Sequence, residues 1–302
     1  MLSDRIKRIA VTGASGLLGT ELLRALRGSY ELLPFSYRRE GQAMGLKFRR
    51  LDLRMGSTLL NELARFAPDL VIHAAAMTAV DTCEQQPTAA YQANVAATRN
   101  VCLAARAIGV PVVYYSTDFV FDGRARKPMR ENHTPSPIGM YGWTKWMGER
   151  AVARLPKHLT IRTSWLFGEH GVNFVAAILK QAEYKKELHV VDDQRGCPTY
   201  APDLAAATRT LLGLGATGTY HVCNAGECSW CGFAREIIRL SGKRVTVKAI
   251  PTRDLDRPAE RPRYSVLSTE KYERATGDAL RPWQDALRDY ITGENHGKND
   301  SS

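Results

Sequence analysis

The chain has 302 residues, 44% hydrophobic and 24% charged, with a net charge of +11 from 42 basic and 31 acidic side chains. That composition excludes a disordered or fibrous chain and leaves room for one large core or two joined subdomains. The longest apolar-rich run, Val71 to Val80, is too short to cross a bilayer, and no signal-like segment precedes the first strand-like run, so the expectation is a cytoplasmic protein without a membrane partner.

In chain order, Ile6–Thr12 reads as a strand, Leu17–Arg27 as a helix, Glu31–Ser36 as a strand and Leu59–Phe66 as a helix. A buried strand at Asp69–Ala74, a long helical stretch over Ala89–Ile108 and a strand at Pro111–Ser116 follow. Next come a helix around Tyr141, a strand at Leu159–Thr163, and helices near Asn173–Ala182, Asp203–Leu212 and Trp230–Ser241. Pro251–Arg263 reads as a structured loop, and Arg281–Ile291 as a last helix begun by Pro282. Apolar strands alternating with helices predict an α/β fold, a doubly wound parallel sheet of Rossmann type with a smaller C-terminal α/β domain. The expected division is 1–165 for dinucleotide binding, 166–292 mainly for substrate, with some segments returning to the first unit, and a disordered polar tail over 293–302.

T-G-A-S-G-L-L-G follows the first strand directly and opens the first helix. Gly13, Gly16 and Gly19 let the backbone turn tightly and approach a pyrophosphate, whose charge meets the helix N-terminus. At the end of the second strand, Arg38 and Arg39 match the 2′-phosphate of NADPH, since guanidinium forks bind phosphate bidentately. Glu40 leaves NADH open, and ordinary surface charge is the alternative for both arginines.

M-Y-G-W-T-K-W places Tyr141 and Lys145 one helical turn apart. An ammonium beside a phenol favours the phenolate and tunes a tyrosine for proton transfer. A core tyrosine beside a solvated lysine satisfies the same spacing. His221, Cys223, Cys228 and Cys231 fall within eleven residues, but only one C-x-x-C unit is present, so free thiols are preferred over zinc. Basic residues are scattered apart from short groups such as Arg124–Lys127, which favours anionic small ligands over nucleic acid.

As a set, T-G-A-S-G-L-L-G, L-D-L at Leu51–Leu53, H-A-A-A-M-T-A-V-D at His73–Asp81, S-T-D-F-V-F-D-G at Ser116–Gly123 and Y-G-W-T-K resemble the extended short-chain dehydrogenase/reductases. R-T-S-W-L-F-G, V-V-D-D-Q-R-G-C-P-T-Y and R-P-R-Y-S-V-L narrow the resemblance to the dTDP-4-dehydrorhamnose reductase family, over nearly the whole chain. The resemblance implies a catalytic trio of Thr117, Tyr141 and Lys145, with Tyr141 as proton donor and Lys145 also reaching the nicotinamide ribose. It implies cofactor contacts from Gly13, Ser15, Gly16, Leu17, Leu18 and Gly19, from Asp52 and Leu53, and from Ala75, Ala76, Met77, Thr78 and Tyr115. Thr117, Asp118 and Trp165 would meet a dTDP-sugar, although a core role is the alternative for Trp165. Phe119 replaces a tyrosine common in relatives, and no metal ligands are carried over. The chain would act as a monomer or homodimer. Related dehydratases use T-D-E, which Phe119 breaks. The other readings are reduction of a different 4-keto-6-deoxysugar nucleotide, or a non-catalytic NADP-binding subunit resembling the regulatory subunit of methionine adenosyltransferase.

Overall fold

The computed structural model describes residues 6–37 and 40–293, so Arg38, Arg39 and the expected tail from residue 294 onward lie outside the described residues. The strands are β1 (Arg8–Thr12), β2 (Glu31–Ser36), β3 (Gly41–Ala43), β4 (Leu46–Arg50), β5 (Leu70–His73), β6 (Val112–Thr117) and β7 (His158–Thr163). They continue as β8 (Leu166–Phe167), β9 (Glu187–Val191), β10 (Arg195–Gly196), β11 (Thr199–Tyr200), β12 (Gly218–His221), β13 (Cys228–Ser229) and β14 (Thr246–Ile250). The helices are α1 (Leu17–Leu26), α2 (Gly56–Phe66), α3 (Val80–Gln85), α4 (Pro87–Tyr91), α5 (Ala97–Ala107) and α6 (Met140–Val152). In the second half are α7 (Phe174–Gln181), α8 (Ala201–Gly213), α9 (Trp230–Ser241), α10 (Glu270–Thr276) and α11 (Trp283–Thr292).

The main sheet runs β12-β7-β6-β5-β1-β2-β4-β3 and is parallel except for the β3–β4 hairpin. Alternation along each strand divides the core between two faces. Ile9, Val11, Val113 and Tyr115 pack with Leu22 of α1 and Leu204 and Leu211 of α8. Ala10, Val112 and Tyr114 pack on the other face with Leu59 and Leu63 of α2 and Val101 of α5. Each fully buried Leu or Val contributes roughly 1.5–3 kcal/mol relative to exposure, so the two faces together hold the sheet flat against its helices. The chain winds away from β1 through β2 and β4, then returns to β5 on its other side. That reversal opens a crevice beyond the C-terminal ends of β1 and β5, where α/β sheets bind ligands.

α8 and β12 come from the second half of the chain yet complete this sheet and its cover. A separate core joins α7, α9 and α11 around Phe167, Val175, Phe233, Ile237 and Leu287. Beside it, β9 and β14 pair in parallel. Ser229 caps α9 by accepting from the Gly232 amide at 3.0 Å, as its position in the sequence predicts.

The expected helix over Ala89–Ile108 is interrupted: a π-helical turn at Gln92–Ala96 separates α4 from α5. The widened turn carries Asn94, whose amide accepts from the Met77 N–H at 2.7 Å and donates to the Met77 carbonyl at 3.0 Å. It therefore holds the loop that follows β5, a role π-bulges often serve near sites. Periodicity could not reveal the bulge, because one extra residue per turn barely changes the apolar spacing. The parallel pair β9–β14 is likewise set by long-range partners rather than local pattern.

Candidate active site

The crevice is a cleft of about 670 Å³ bordered by the ends of β1, β5, β6 and β7. Gly13, Gly16, Leu17, Leu18, Gly19, Ala76, Thr78, Tyr115, Thr117, Asp118, Tyr141, Lys145 and Trp165 all line it. Two of its glycines are steric necessities. Gly13 has φ +68°, and a Cβ there would sit 2.5 Å from the Ala75 amide nitrogen. A Cβ on Gly19 would lie 2.1 Å from the Gly13 carbonyl oxygen, so the first turn of α1 packs directly on the loop. Gly16 begins α1 without a side-chain cap, and the first turn holds no acidic residue. Its free amides and the helix dipole suit an anion, and the bare backbone leaves the close approach a pyrophosphate needs.

Five expected cofactor residues stand behind this lining. The Ser15 hydroxyl bonds that of Ser36 at 2.6 Å, tying the loop to the end of β2. Ala75 packs under Gly13, and Met77 is held by Asn94. Asp52 is paired with Arg54, whose hydrogen bonds hold its carboxyl below the usual range, and the Leu53 carbonyl accepts from Asn100 at 2.9 Å. Tyr115 borders the cleft with its hydroxyl committed to Thr208 of α8 at 2.8 Å.

Tyr141 and Lys145 lie on α6, with Thr117 at the end of β6 opposite them. The α6 N-terminus presses against the 118–120 turn so closely that a Cβ on Gly142 would be 2.0 Å from the Phe119 carbonyl oxygen. The Phe119 ring meets Tyr141 edge-on, centroids 5.6 Å apart. Burial raises the Tyr141 hydroxyl well above its ordinary pKa, against the pull of a hydrogen bond to Thr117, while Asp118 and Cys83 push it further up. The spacing argument expects Lys145 to lower this pKa, but desolvation outweighs it. Burial also lowers Lys145 to about 7, opposed by the charges of Glu149 and Cys83.

Asp118, an expected substrate contact, borders the cleft. It is buried, with Oδ1 accepting from Thr117 at 2.9 Å and Oδ2 accepting from Ser265 at 2.5 Å. Burial raises its pKa to about 6 although both hydroxyls favour the ionised form. Its Oδ1 fixes the direction of the Thr117 hydroxyl.

Trp165 adopts φ +48°, a conformation that costs a bulky residue roughly 1–3 kcal/mol. Its ring stacks on Trp230, and a Cβ on Gly196 would be 2.5 Å from it. Arg257 and Arg261, from the loop expected at Pro251–Arg263, reach the same cleft. Arg261 is anchored by Asp81 at 2.7 Å. The V-V-D-D-Q motif fixes that loop: Asp193 accepts from the Thr252 amide at 2.9 Å, and Gln194 donates to the Thr252 hydroxyl at 2.9 Å. Residue-by-residue reading missed Asn94, Trp230, Arg257, Arg261 and Ser265. The two arginines in a proline-stiffened loop were the one available signal.

His221 and the three nearby cysteines form no cluster able to hold a metal ion among the described residues. His221 is buried and within 3.0 Å of the Met129 carbonyl oxygen, and all six cysteines are buried free thiols. Glu21, Glu169 and His170 do converge within 4.8 Å, and Arg24 bonds both carboxylates, at 3.0 and 2.7 Å. Among the described residues, no helix is long and apolar enough to cross a membrane.

The RmlD substrate binding domain family matches residues 7–295. A dTDP-4-dehydrorhamnose reductase from Streptomyces griseus is 38% identical over 93% of this chain and 91% of its own. A dTDP-4-keto-6-deoxy-D-glucose reductase from Streptomyces niveus is 35% identical over 93% and 95%. The crystal structure of a dTDP-4-dehydrorhamnose reductase from Bacillus anthracis in complex with NADP superposes with a TM-score of 0.88 at 35% identity, covering 95% of this chain and 99% of that one. By that family match and these relatives, the chain belongs to the RmlD family of NAD(P)-dependent dTDP-sugar 4-keto reductases, within the extended short-chain dehydrogenase/reductases.

Proposed function

We propose that the protein reduces the C4 ketone of dTDP-6-deoxy-L-lyxo-4-hexulose (dTDP-4-dehydro-L-rhamnose) to dTDP-L-rhamnose, using NADPH. The observation that carries this reading is the meeting of Tyr141, Thr117 and Lys145 in the same cleft as the glycine loop. When bound, the nicotinamide cofactor supplies the hydride that reaches C4. The glycine loop and the α1 amides would hold its pyrophosphate, Ala76 and Thr78 would border it, and Lys145 would reach its ribose.

The ketone oxygen gains negative charge as C4 is reduced, so it needs a proton donor in place. Tyr141 fits that work because burial keeps its hydroxyl protonated until a stronger base appears beside it. Thr117 stands beside Tyr141 and would orient the same oxygen once its single hydroxyl proton, given to Asp118 Oδ1 here, turns to the ketone. Lys145 stabilises the tyrosinate left behind, and its own pKa near 7 lets it pass a proton on. Arg257 and Arg261 supply positive charge at the mouth for the sugar nucleotide's diphosphate, and Trp165 offers a flat apolar wall to the deoxysugar.

A second reading, reduction of another dTDP-linked 4-keto-6-deoxysugar, is favoured by the similarly related Streptomyces niveus protein. Which of these stereoisomeric ketosugars fits is decided by a few pocket contacts, which the shared motifs do not include. The deciding experiment gives purified protein each of the two dTDP-ketosugars with NADPH and follows nicotinamide absorbance, with the product identified by NMR. Faster turnover of the D-glucose-derived ketone would move the assignment to that sugar. No turnover of either, with tight NADPH binding retained, would leave the non-catalytic subunit.

A further inference from the structure

Lys145 is buried at 4% exposure, yet no carboxylate lies within ion-pair distance of its Nζ among the described residues. What it does have is the Tyr114 ring: Nζ sits 4.3 Å from that ring's centroid. The same tyrosine's hydroxyl donates to the Lys145 main-chain carbonyl at 3.1 Å. One side chain thus grips both ends of the lysine.

We propose that Tyr114 is a positioning residue of this site, whose π-face carries the Lys145 ammonium while its hydroxyl braces the α6 backbone from which Lys145 extends. Glu149 acts on the ammonium only at longer range, and among the groups packed around it the ring is the one in direct contact with Nζ. On α6, Glu149 is bound by Arg162 of β7 through two contacts, 2.8 and 2.7 Å, and Tyr141 is a protonated phenol. On α3, burial raises Cys83 to about 11, so it stays a neutral thiol. On β5, burial and Lys145 lower His73 to about 3, so its imidazole is neutral and stacks on Tyr114 at 5.7 Å between centroids. Asp118, beyond Tyr141, is taken up by Thr117 and Ser265. A cation so placed is drawn to the negative face of the ring, the more strongly where water is excluded. The fold reserves room for the arrangement: a Cβ on Gly148 would fall 2.2 Å from the Tyr114 hydroxyl oxygen. That accounts for the second glycine of Y-G-W-T-K-W-M-G, which sits in a helix interior where alanine would otherwise be preferred.

The consequence for turnover rests on the reductase reading, but the contact itself does not, and the test separates them. Tyr114 is replaced by Phe and by mono-, di- and trifluorophenylalanine, which keep the shape while draining the ring's negative face. Competitive labelling with acetic anhydride across pH, read by mass spectrometry on the Lys145 peptide, measures the lysine's titration in the cofactor-free protein. The parent should titrate well below an ordinary lysine, near pH 7. Tyr114→Phe should stay close to it, and the fluorinated series should fall stepwise by about one pH unit in total. Gly148→Ala, which displaces the ring, should also lower the midpoint. A midpoint constant across the fluorinated series overturns the proposal and leaves Tyr114 as filler. Failure of the parent to reduce either ketosugar overturns the reductase reading and leaves the labelling result intact.

Discussion

The indole rings of Trp165 and Trp230 lie parallel, 6° apart in plane with centroids 3.5 Å apart, although 65 positions separate them in the chain. The stack fixes Trp165, at the end of β7, with the first residue of α9, so it joins the sheet to the smaller core at the wall of the cleft. Trp230→Ala removes that support. Aromatic pairs contribute about 0.5–1.5 kcal/mol beyond burial, so KM for the sugar nucleotide should rise about tenfold with little change in kcat. Steady-state kinetics would detach the pair from substrate binding if KM stayed at the parent value.

Tyr141→Phe keeps the ring against Phe119 and deletes only the hydroxyl. Turnover should fall by about 10²–10⁴, the range for losing a positioned acid, while NADPH affinity stays near the parent's. Cofactor titration by fluorescence beside single-turnover reduction distinguishes the two. Activity within severalfold of the parent would remove Tyr141 from its assigned role.

Lys145 makes stability depend on pH in a defined window. Its folded pKa is near 7 against 10.5 ordinarily, so between those values the unfolded chain holds a proton that the folded chain has released. Stability should therefore rise with pH from about 7 to 10.5, with the burial penalty fully present below 7, on the order of a few kcal/mol. Urea unfolding of the cofactor-free protein should show the rise, and Lys145→Met should flatten it. An unchanged slope in that variant would assign the pH dependence to other groups.

Ser265→Ala strips one hydroxyl from the buried Asp118 carboxylate. An unsatisfied buried acceptor costs about 1–3 kcal/mol, so the melting temperature should drop. Thr117 loses its fixed partner geometry, and kcat should fall about tenfold with cofactor affinity preserved. Ser265→Thr, which restores a hydroxyl, should recover part of both; equal losses in the two variants would point to packing instead.

Arg38→Ala with Arg39→Ala tests cofactor choice at residues outside the described part of the chain. Each charge-assisted hydrogen bond to a 2′-phosphate contributes about 1.5–3 kcal/mol, so NADPH affinity should fall at least about tenfold while NADH affinity barely moves. Equal losses for the two cofactors would reject a phosphate-binding role.

What could be read from sequence was whatever is encoded within a turn or a strand. Gly13, Gly16 and Gly19 announce a tight loop, and at Gly13 and Gly19 only glycine fits where backbones touch. Tyr141 and Lys145 announce one helix face because their spacing matches its pitch, and the alternation of apolar runs announces a parallel sheet. Distances across the fold carry no such local mark. Ser265 meets Asp118 across 147 positions, Arg261 meets Asp81 across 180, and Asn94 depends on a π turn that periodicity does not register. The direction of the Tyr141 shift was also beyond reach of spacing, since it is set by how completely water is excluded. Residue type and local period determine which groups this protein possesses. Only the packed structure decides which of them are buried, which are already paired, and which remain free to meet a ligand.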